Sequence, residues 1–143
     1  ILELDPEGEG VQRAVEEALA MAGLAPADVG MVCAHGNGTP ASDLTEALGL
    51  RAVFGEAIPP VTSFKWAYGH LLAVSGLIDL VMTLETLRRG RIPGVASLRE
   101  LDPEIGFLPV AEPGSAHAPA SPVALVVCRG FGGMNVAVLV EAV

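Results

Sequence analysis

Two turns constrain this chain more than anything else in it. His35-Gly36-Asn37-Gly38-Thr39 and Lys65-Trp66-Ala67-Tyr68-Gly69-His70 each follow a short apolar run and precede a run with helical spacing. The apolar runs, Val29 to Ala34 and Val61 to Phe64, are too short for helices and partly β-branched, so they predict buried strands. Each turn therefore marks a strand-to-helix corner. In open α/β sheets chemistry collects where strand ends meet helix starts. His35, His70 and Lys65 are thus expected to bring two imidazoles and one ammonium to the strand ends of a single sheet. Such a group can stabilise an oxyanion and move protons at a carbonyl carbon.

The remaining pattern fits an α/β fold. Residues 7–23 predict an amphipathic helix, with Val11, Val15, Ala18, Leu19 and Ala22 at helical spacing and Gly23 as its cap. Asp43 to Phe54 predicts a second helix, stopped by Gly55. Gly69 to Arg89 predicts one long helix, apolar almost all round and so expected in a core. Arg88 and Arg89 suit its C-terminal dipole, and Gly90 caps it. Residues 91–120 are rich in Pro and Gly and predict irregular structure. Pro122 to Cys128 and Val136 to Val140 predict an antiparallel hairpin across Gly130-Phe131-Gly132-Gly133. The expected architecture is a mixed sheet layered between helices.

Composition narrows the function classes. A chain of 143 residues suits one domain, here residues 1–143. Hydrophobic residues make up 51% and aromatic ones only 4%, so the core must be built from Ala, Val, Leu and Ile. A mean hydropathy of +0.52 implies a large core or apolar surface kept for a partner. The net charge is −9, and no basic cluster exists beyond Arg88, Arg89 and Arg91, which argues against nucleic-acid binding. No apolar run reaches the roughly 18 residues of a membrane span. The N-terminus has no signal-type pattern, so a cytoplasmic protein is expected. Cys33 and Cys128 sit in apolar runs without metal-ligand spacing and predict free thiols in a reducing compartment. The chain does not begin with Met, and it is expected to be part of a longer product.

Each residue has a plainer interpretation alone. A histidine in a turn is more often structural, and an isolated lysine is usually solvated. Other chemistries fit worse. His35 and His70 with Asp43 or Glu46 match no zinc spacing, so no metal is expected. The Gly130–Gly133 run lacks the Lys-Ser/Thr ending of a phosphate loop. Ser42, Ser63 and Ser75 lie outside any G-x-S-x-G context.

The motifs in combination are far more specific. His35-Gly-x-Gly-Thr39-Pro40, then Asp43 and Glu46, then Lys65-x-x-x-Gly69-His70, then Gly130-Phe131-Gly132-Gly133-x-Asn135 resembles the C-terminal half of the β-ketoacyl synthases. These are the condensing enzymes of fatty acid and polyketide synthesis, with a thiolase-like fold. The resemblance covers nearly the whole chain. It implies a thiolase-like half with a five-stranded type of mixed sheet. It also implies a decarboxylative Claisen condensation of malonyl and acyl thioesters, without a cofactor. By position, His35 and His70 match the catalytic histidines, and Lys65 the lysine that supports them. Thr39 matches a threonine near the pantetheine arm, with Asn37 where a second Thr or Ser is usual. Phe131 matches the aromatic that gates the nucleophile. The implied partners are an N-terminal half or chain carrying the nucleophilic cysteine, acyl carrier protein, and a second copy in a dimer.

The departures from the family pattern are local. Neither Cys33 nor Cys128 matches the nucleophile, which belongs to the N-terminal half. Val127, Cys128 and Arg129 replace the usual Asn-Ser-Phe, and Met134 replaces a Thr. Ala73-Val74-Ser75-Gly76 replaces Gly-Ala-Ala-Gly. Where some members place a structural cation, this chain has Cys33, Glu46 and Asp79, and Glu46 and Asp79 are expected to be structural. Beside an active synthase, the alternatives are a non-catalytic, chain-length-factor-like or degenerate synthase subunit acting as a structural partner, or an interaction fragment that keeps the fold.

Overall fold

The computed structural model describes residues 5–107, 109–110 and 117–142. Its helices and strands run in the order α1 (Glu9–Ala22), β1 (Met31–Cys33), α2 (Pro40–Phe54), β2 (Val61–Thr62), α3 (Lys65–Tyr68), α4 (Ser75–Arg89), β3 (Val123–Arg129) and β4 (Asn135–Glu141). The strands form one mixed sheet in the order β2-β1-β3-β4. β1 pairs in parallel with β2 and β3, and β3 pairs antiparallel with β4. The predicted hairpin is therefore present.

The strand pleat sends alternate residues to opposite faces. Val32, Leu125 and Val127 join Val11, Val15 and Leu19 of α1 and Leu50 and Phe54 of α2 in one core cluster. Met31 and Ala124 pack with Leu87 of α4, while Cys33 and Val126 pack with Phe64 and Leu80. The sheet is thus covered by α1 and α2 on one face and α4 on the other. Close approach of α1 and α2 needs Gly49, where a Cβ would lie 2.7 Å from Val11 Cβ.

Several expectations change. The sheet has four strands among the described residues rather than five. At its β2 edge a single bond, Val110 N–H to Val61 O at 2.8 Å, continues the ladder, and residues 111–116 lie outside the described residues. The second helix starts at Pro40 rather than Asp43, because proline's fixed φ suits a first helical position. The helix expected over 69–89 is broken. A short α3 ends at Gly69, Leu72 adopts φ +54°, and α4 begins only at Ser75.

α4 is also not buried all round. Its sheet-facing side holds Ser75, Asp79, Thr83, Thr86 and Leu87. Thr83 and Thr86 satisfy their hydroxyls on carbonyls one turn back, at 2.7 and 2.8 Å. Leu77, Val81 and Leu84 are exposed on the other side. No described helix is long and apolar enough to cross a membrane.

Candidate active site

The site is assembled at the ends of β1 and β2. Just past β1 the chain turns, and buried Glu46 of α2 fixes that turn. Its Oε1 accepts His35 N–H at 2.7 Å and its Oε2 accepts Gly36 N–H at 3.0 Å. Burial pushes the Glu46 carboxyl above its ordinary range, and these two bonds partly offset that. Gly36 has φ +43°, and a Cβ there would lie 2.7 Å from Ser63 Cβ. Ser63 Oγ donates to Gly36 O at 3.2 Å, tying the two strand ends together.

β2 leads through Phe64 into Lys65, which opens α3 instead of ending a strand. Lys65 Nζ lies 2.5 Å from Asp79 Oδ2, and Tyr68 OH donates to Asp79 Oδ1 at 2.5 Å. Both charged side chains are inside, at 3% and 0% exposure. Burial, then Asp79, pushes the Tyr68 hydroxyl's pKa upward, so the phenol stays a donor.

The two imidazoles meet edge to face, with ring centroids 5.1 Å apart and planes at 77°. His35 is buried, and its Nδ1 accepts Arg129 N–H in a long contact of 3.4 Å. Burial first, then the charge of Lys65, lowers its pKa to about 4. The ring is therefore neutral at neutral pH, with its proton at Nε2. His70 Nδ1 accepts Leu72 N–H at 3.1 Å and lies 3.0 Å from Ser75 Oγ. With Nδ1 as an acceptor, the ring N–H of His70 lies at Nε2. Two imidazoles, each anchored through Nδ1, thus present Nε2–H donors. Such a pair can bind one oxygen on which negative charge develops. Beside them opens a cleft of about 760 Å³, lined in part by Asn37, Asp43, Lys65, Trp66, His70 and Leu98.

Comparison with known proteins decides the family. The family "Beta-ketoacyl synthase, C-terminal domain" matches residues 2–99. The chain belongs to the β-ketoacyl synthases. It is 37% identical over 137 residues to the 3-oxoacyl-[acyl-carrier-protein] synthase 2 of Mycobacterium tuberculosis, covering 94% of this chain and 32% of that protein. It superposes with TM-score 0.93 and 25% identity on a chain of a type II polyketide ketosynthase complex with its acyl-carrier protein, covering all of this chain and 35% of that one. It also superposes on the ishigamide ketosynthase/chain length factor, with TM-score 0.89 and 25% identity, covering 96% of this chain and 34% of that one. The chain thus spans about a third of the length of the synthases it matches.

Within this synthase domain the predicted residues separate into two groups. His35, His70 and Lys65 converge. Asn37 lines the cleft, and its Oδ1 accepts Thr39 N–H at 2.9 Å, while Thr39 is exposed at the start of α2. Phe131 is 81% exposed on the β3–β4 turn and is not among the residues lining the cleft. Glu46 and Asp79 each spend their carboxylates on partners within the chain. Glu46 holds backbone and Asp79 holds Lys65. Asp43 Oδ1 is a buried oxygen without a hydrogen-bond partner among the described residues, and burial raises its carboxyl's pKa. The thiol of fully buried Cys33 is pushed up strongly by desolvation, and that of Cys128 less so. Neither is activated as a nucleophile.

Sequence reasoning did not foresee the part played by Arg129. Its Nη1 donates to Ser42 O at 2.6 Å and Thr45 Oγ1 at 3.0 Å, and its Nε donates to Asn135 Oδ1 at 3.1 Å. It joins α2 to the hairpin beside His35. Its departure from the family's phenylalanine was the available signal.

Proposed function

We propose that this chain, as one domain, is the C-terminal half of a β-ketoacyl-acyl-carrier-protein synthase acting in fatty acid or polyketide synthesis. The observation that supports this best is the paired, Nδ1-anchored imidazoles of His35 and His70. In this mechanism their Nε2–H groups hold the thioester carbonyl oxygen of a malonyl group carried by acyl carrier protein. The bond to the carboxylate breaks, CO2 leaves, and its electron pair forms an enolate stabilised by both donors. The α-carbon then attacks an acyl thioester on a cysteine of the N-terminal half. A carbon–carbon bond forms and the cysteine leaves as thiolate. Lys65, held in place by Asp79, keeps its positive charge near His35 and helps keep that ring uncharged and so available as a donor. Thr39 and Asn37 flank the pantetheine arm, and Phe131 gates the nucleophile.

The N-terminal half, acyl carrier protein and a second copy are the partners, and the cytoplasm, where free thiols stay reduced, is the location. The exposed apolar side of α4 supports a partner surface.

The test is CO2 release from malonyl-acyl-carrier-protein by the full-length protein. His70→Ala is expected to lower it about 10²–10³-fold, the usual cost of one oxyanion donor. Unchanged release would remove the proposal. The likeness to a ketosynthase/chain length factor supports a second reading, a non-catalytic partner subunit. That reading predicts no release by the wild type and stable association with an active synthase.

A further inference from the structure

Hydrogen bonds rather than packing hold the Gly130–Met134 turn. Phe131 and Met134 are 81% and 61% exposed, so neither side chain anchors it. Gly132 and Gly133 sit at φ +74° and +78°, left-handed conformations that cost glycine little to enter or leave. Gly130 N–H closes the base of the turn on Met134 O at 2.9 Å. Among the described residues the tip is reached by one side chain, Asn135, whose Nδ2 donates to Gly133 O at 3.0 Å. A side-chain amide can face either way, so its neighbours decide which end meets Gly133. Arg129 decides it here. Its Nε donates to Asn135 Oδ1 at 3.1 Å, which leaves Nδ2 for the turn. Arg129 is itself fixed, because its Nη1 donates to Ser42 O at 2.6 Å and to Thr45 Oγ1 at 3.0 Å near the start of α2. Gly10 of α1 leaves the amide its room, since a Cβ there would lie 2.5 Å from Asn135 Nδ2. The bonds thus run from α2 through Arg129 and Asn135 to Gly133. α2 is also the helix whose Glu46 holds the His35 turn.

We propose that Arg129 is a positioning residue for the 130–134 turn: through Asn135 it ties the segment that carries Phe131 to α2. The tie is particular to this chain, because the phenylalanine usual at this place in the family has no donor for the Asn135 oxygen. Without the guanidinium the Asn135 amide is free to flip. Gly133 O then loses its donor, and the two left-handed glycines let the turn open. The consequence for acyl entry rests on the proposed synthase activity and on the gating part given to Phe131, but the tie does not.

Hydrogen exchange of the full-length protein, read by mass spectrometry over residues 130–134, tests the tie. Arg129→Phe is expected to speed exchange there about tenfold, the size of one lost hydrogen bond, and to leave residues 123–127 of β3 unchanged. Asn135→Asp keeps an acceptor for Arg129 and removes the donor to Gly133, so it is expected to speed exchange by the same factor. The double variant is expected to exceed neither single one, because both break the same run of bonds. Should Arg129→Phe lose the fold, Asn135→Asp leaves the guanidinium on α2 and still reads the link to the turn. Unchanged exchange over 130–134 in a folded variant, or additive effects in the double variant, overturns the proposal. Acyl transfer from acyl carrier protein to the cysteine of the N-terminal half is expected to quicken by the same factor in Arg129→Phe, because entry then waits less on the turn. Faster exchange without faster transfer supports the tie and rejects its part in entry. A wild type that takes up no acyl group, yet shows the faster exchange on substitution, supports the tie and rejects the synthase activity.

Discussion

Lys65 and Asp79 form an ion pair inside the protein, 2.5 Å apart, with almost no solvent on either side chain. Tyr68 OH takes the second carboxylate oxygen, so both acceptors of Asp79 are engaged. Removing one member strands a buried charge, which costs about 3–5 kcal/mol. Lys65→Met and Asp79→Leu are each expected to destabilise by about that amount in urea unfolding. The double variant is expected to lose less than the sum, because no unpaired charge remains. Additive losses would show that the pair is not coupled.

The same ammonium acts on His35. Its pKa is lowered to about 4, below the ordinary value of 6.5. Between these values the unfolded chain binds the proton and the folded one does not. The His35 contribution to stability is therefore present above pH 6.5 and lost as pH falls towards 4. Burial holds Glu46 and Asp43 up, so they act in the opposite sense in the acid range. The His35 part is the difference between wild type and His35→Gln, expected to grow by about 3 kcal/mol from pH 4 to 7. Lys65→Met, by removing a positive charge, is expected to raise the His35 pKa seen by NMR titration. A value that stays put would detach Lys65 from the imidazole.

Much of this site was legible in the sequence because local rules wrote it. Short apolar runs before glycine-containing turns marked β1 and β2, and the motif order located both histidines. The continuous helix expected over 69–89 failed for a physical reason. Leu71, Leu72 and Val74 extend the apolar pattern, so periodicity cannot see the break. The break depends on Ser75 taking Leu71 N–H and on a left-handed Leu72. Asp79 lies 14 positions from Lys65, outside any helical pairing distance, so its role as counter-ion needed the fold. Arg129 reaches Ser42 and Thr45 across 87 and 84 positions, which no local pattern encodes.

Leu72 offers a stability test free of burial effects. Its left-handed conformation costs about 1–2 kcal/mol for a residue with a Cβ. Glycine removes that cost but loses roughly 0.5–1 kcal/mol through the unfolded chain. Leu72→Gly is expected to be neutral or stabilising by up to about 1.5 kcal/mol, whereas Leu72→Ala keeps the Cβ and brings no gain. Thermal unfolding of the two variants compares them. A clear loss in Leu72→Gly would mean that the leucine side chain itself matters there.

Acyl transfer to this chain's own cysteines is expected to fail. The thiolate is the nucleophile, and burial opposes ionisation of both thiols. Cys33 is also closed to substrate, with 0% exposure. Incubation of the chain with an acyl-carrier-protein thioester is expected to leave its mass unchanged. A mass increase mapped to Cys33 or Cys128 would place the nucleophile here after all.

α4 carries its polarity the wrong way round for a helix whose outer side meets only water. Asp79 and Thr83 face inward at 0% exposure, while Leu77 and Val81 stand outward at 61% and 53%. A surface helix alone normally shows the reverse. The inward polar groups are all paired, through Lys65, Tyr68 and the Thr83 back-bond, so they cost the fold little. The outward apolar groups gain nothing until something covers them. A standard interface removes about 1,600 Å² from water, and an apolar helix face fits its centre. Leu77→Asp with Val81→Asp is therefore expected to change the chain's own unfolding free energy by less than about 0.5 kcal/mol, as exposed sites do. If the proposed N-terminal half is the partner, the same pair is expected to abolish assembly with it, measured by sedimentation of the two halves mixed. Assembly that survives both charges would move the partner surface away from α4.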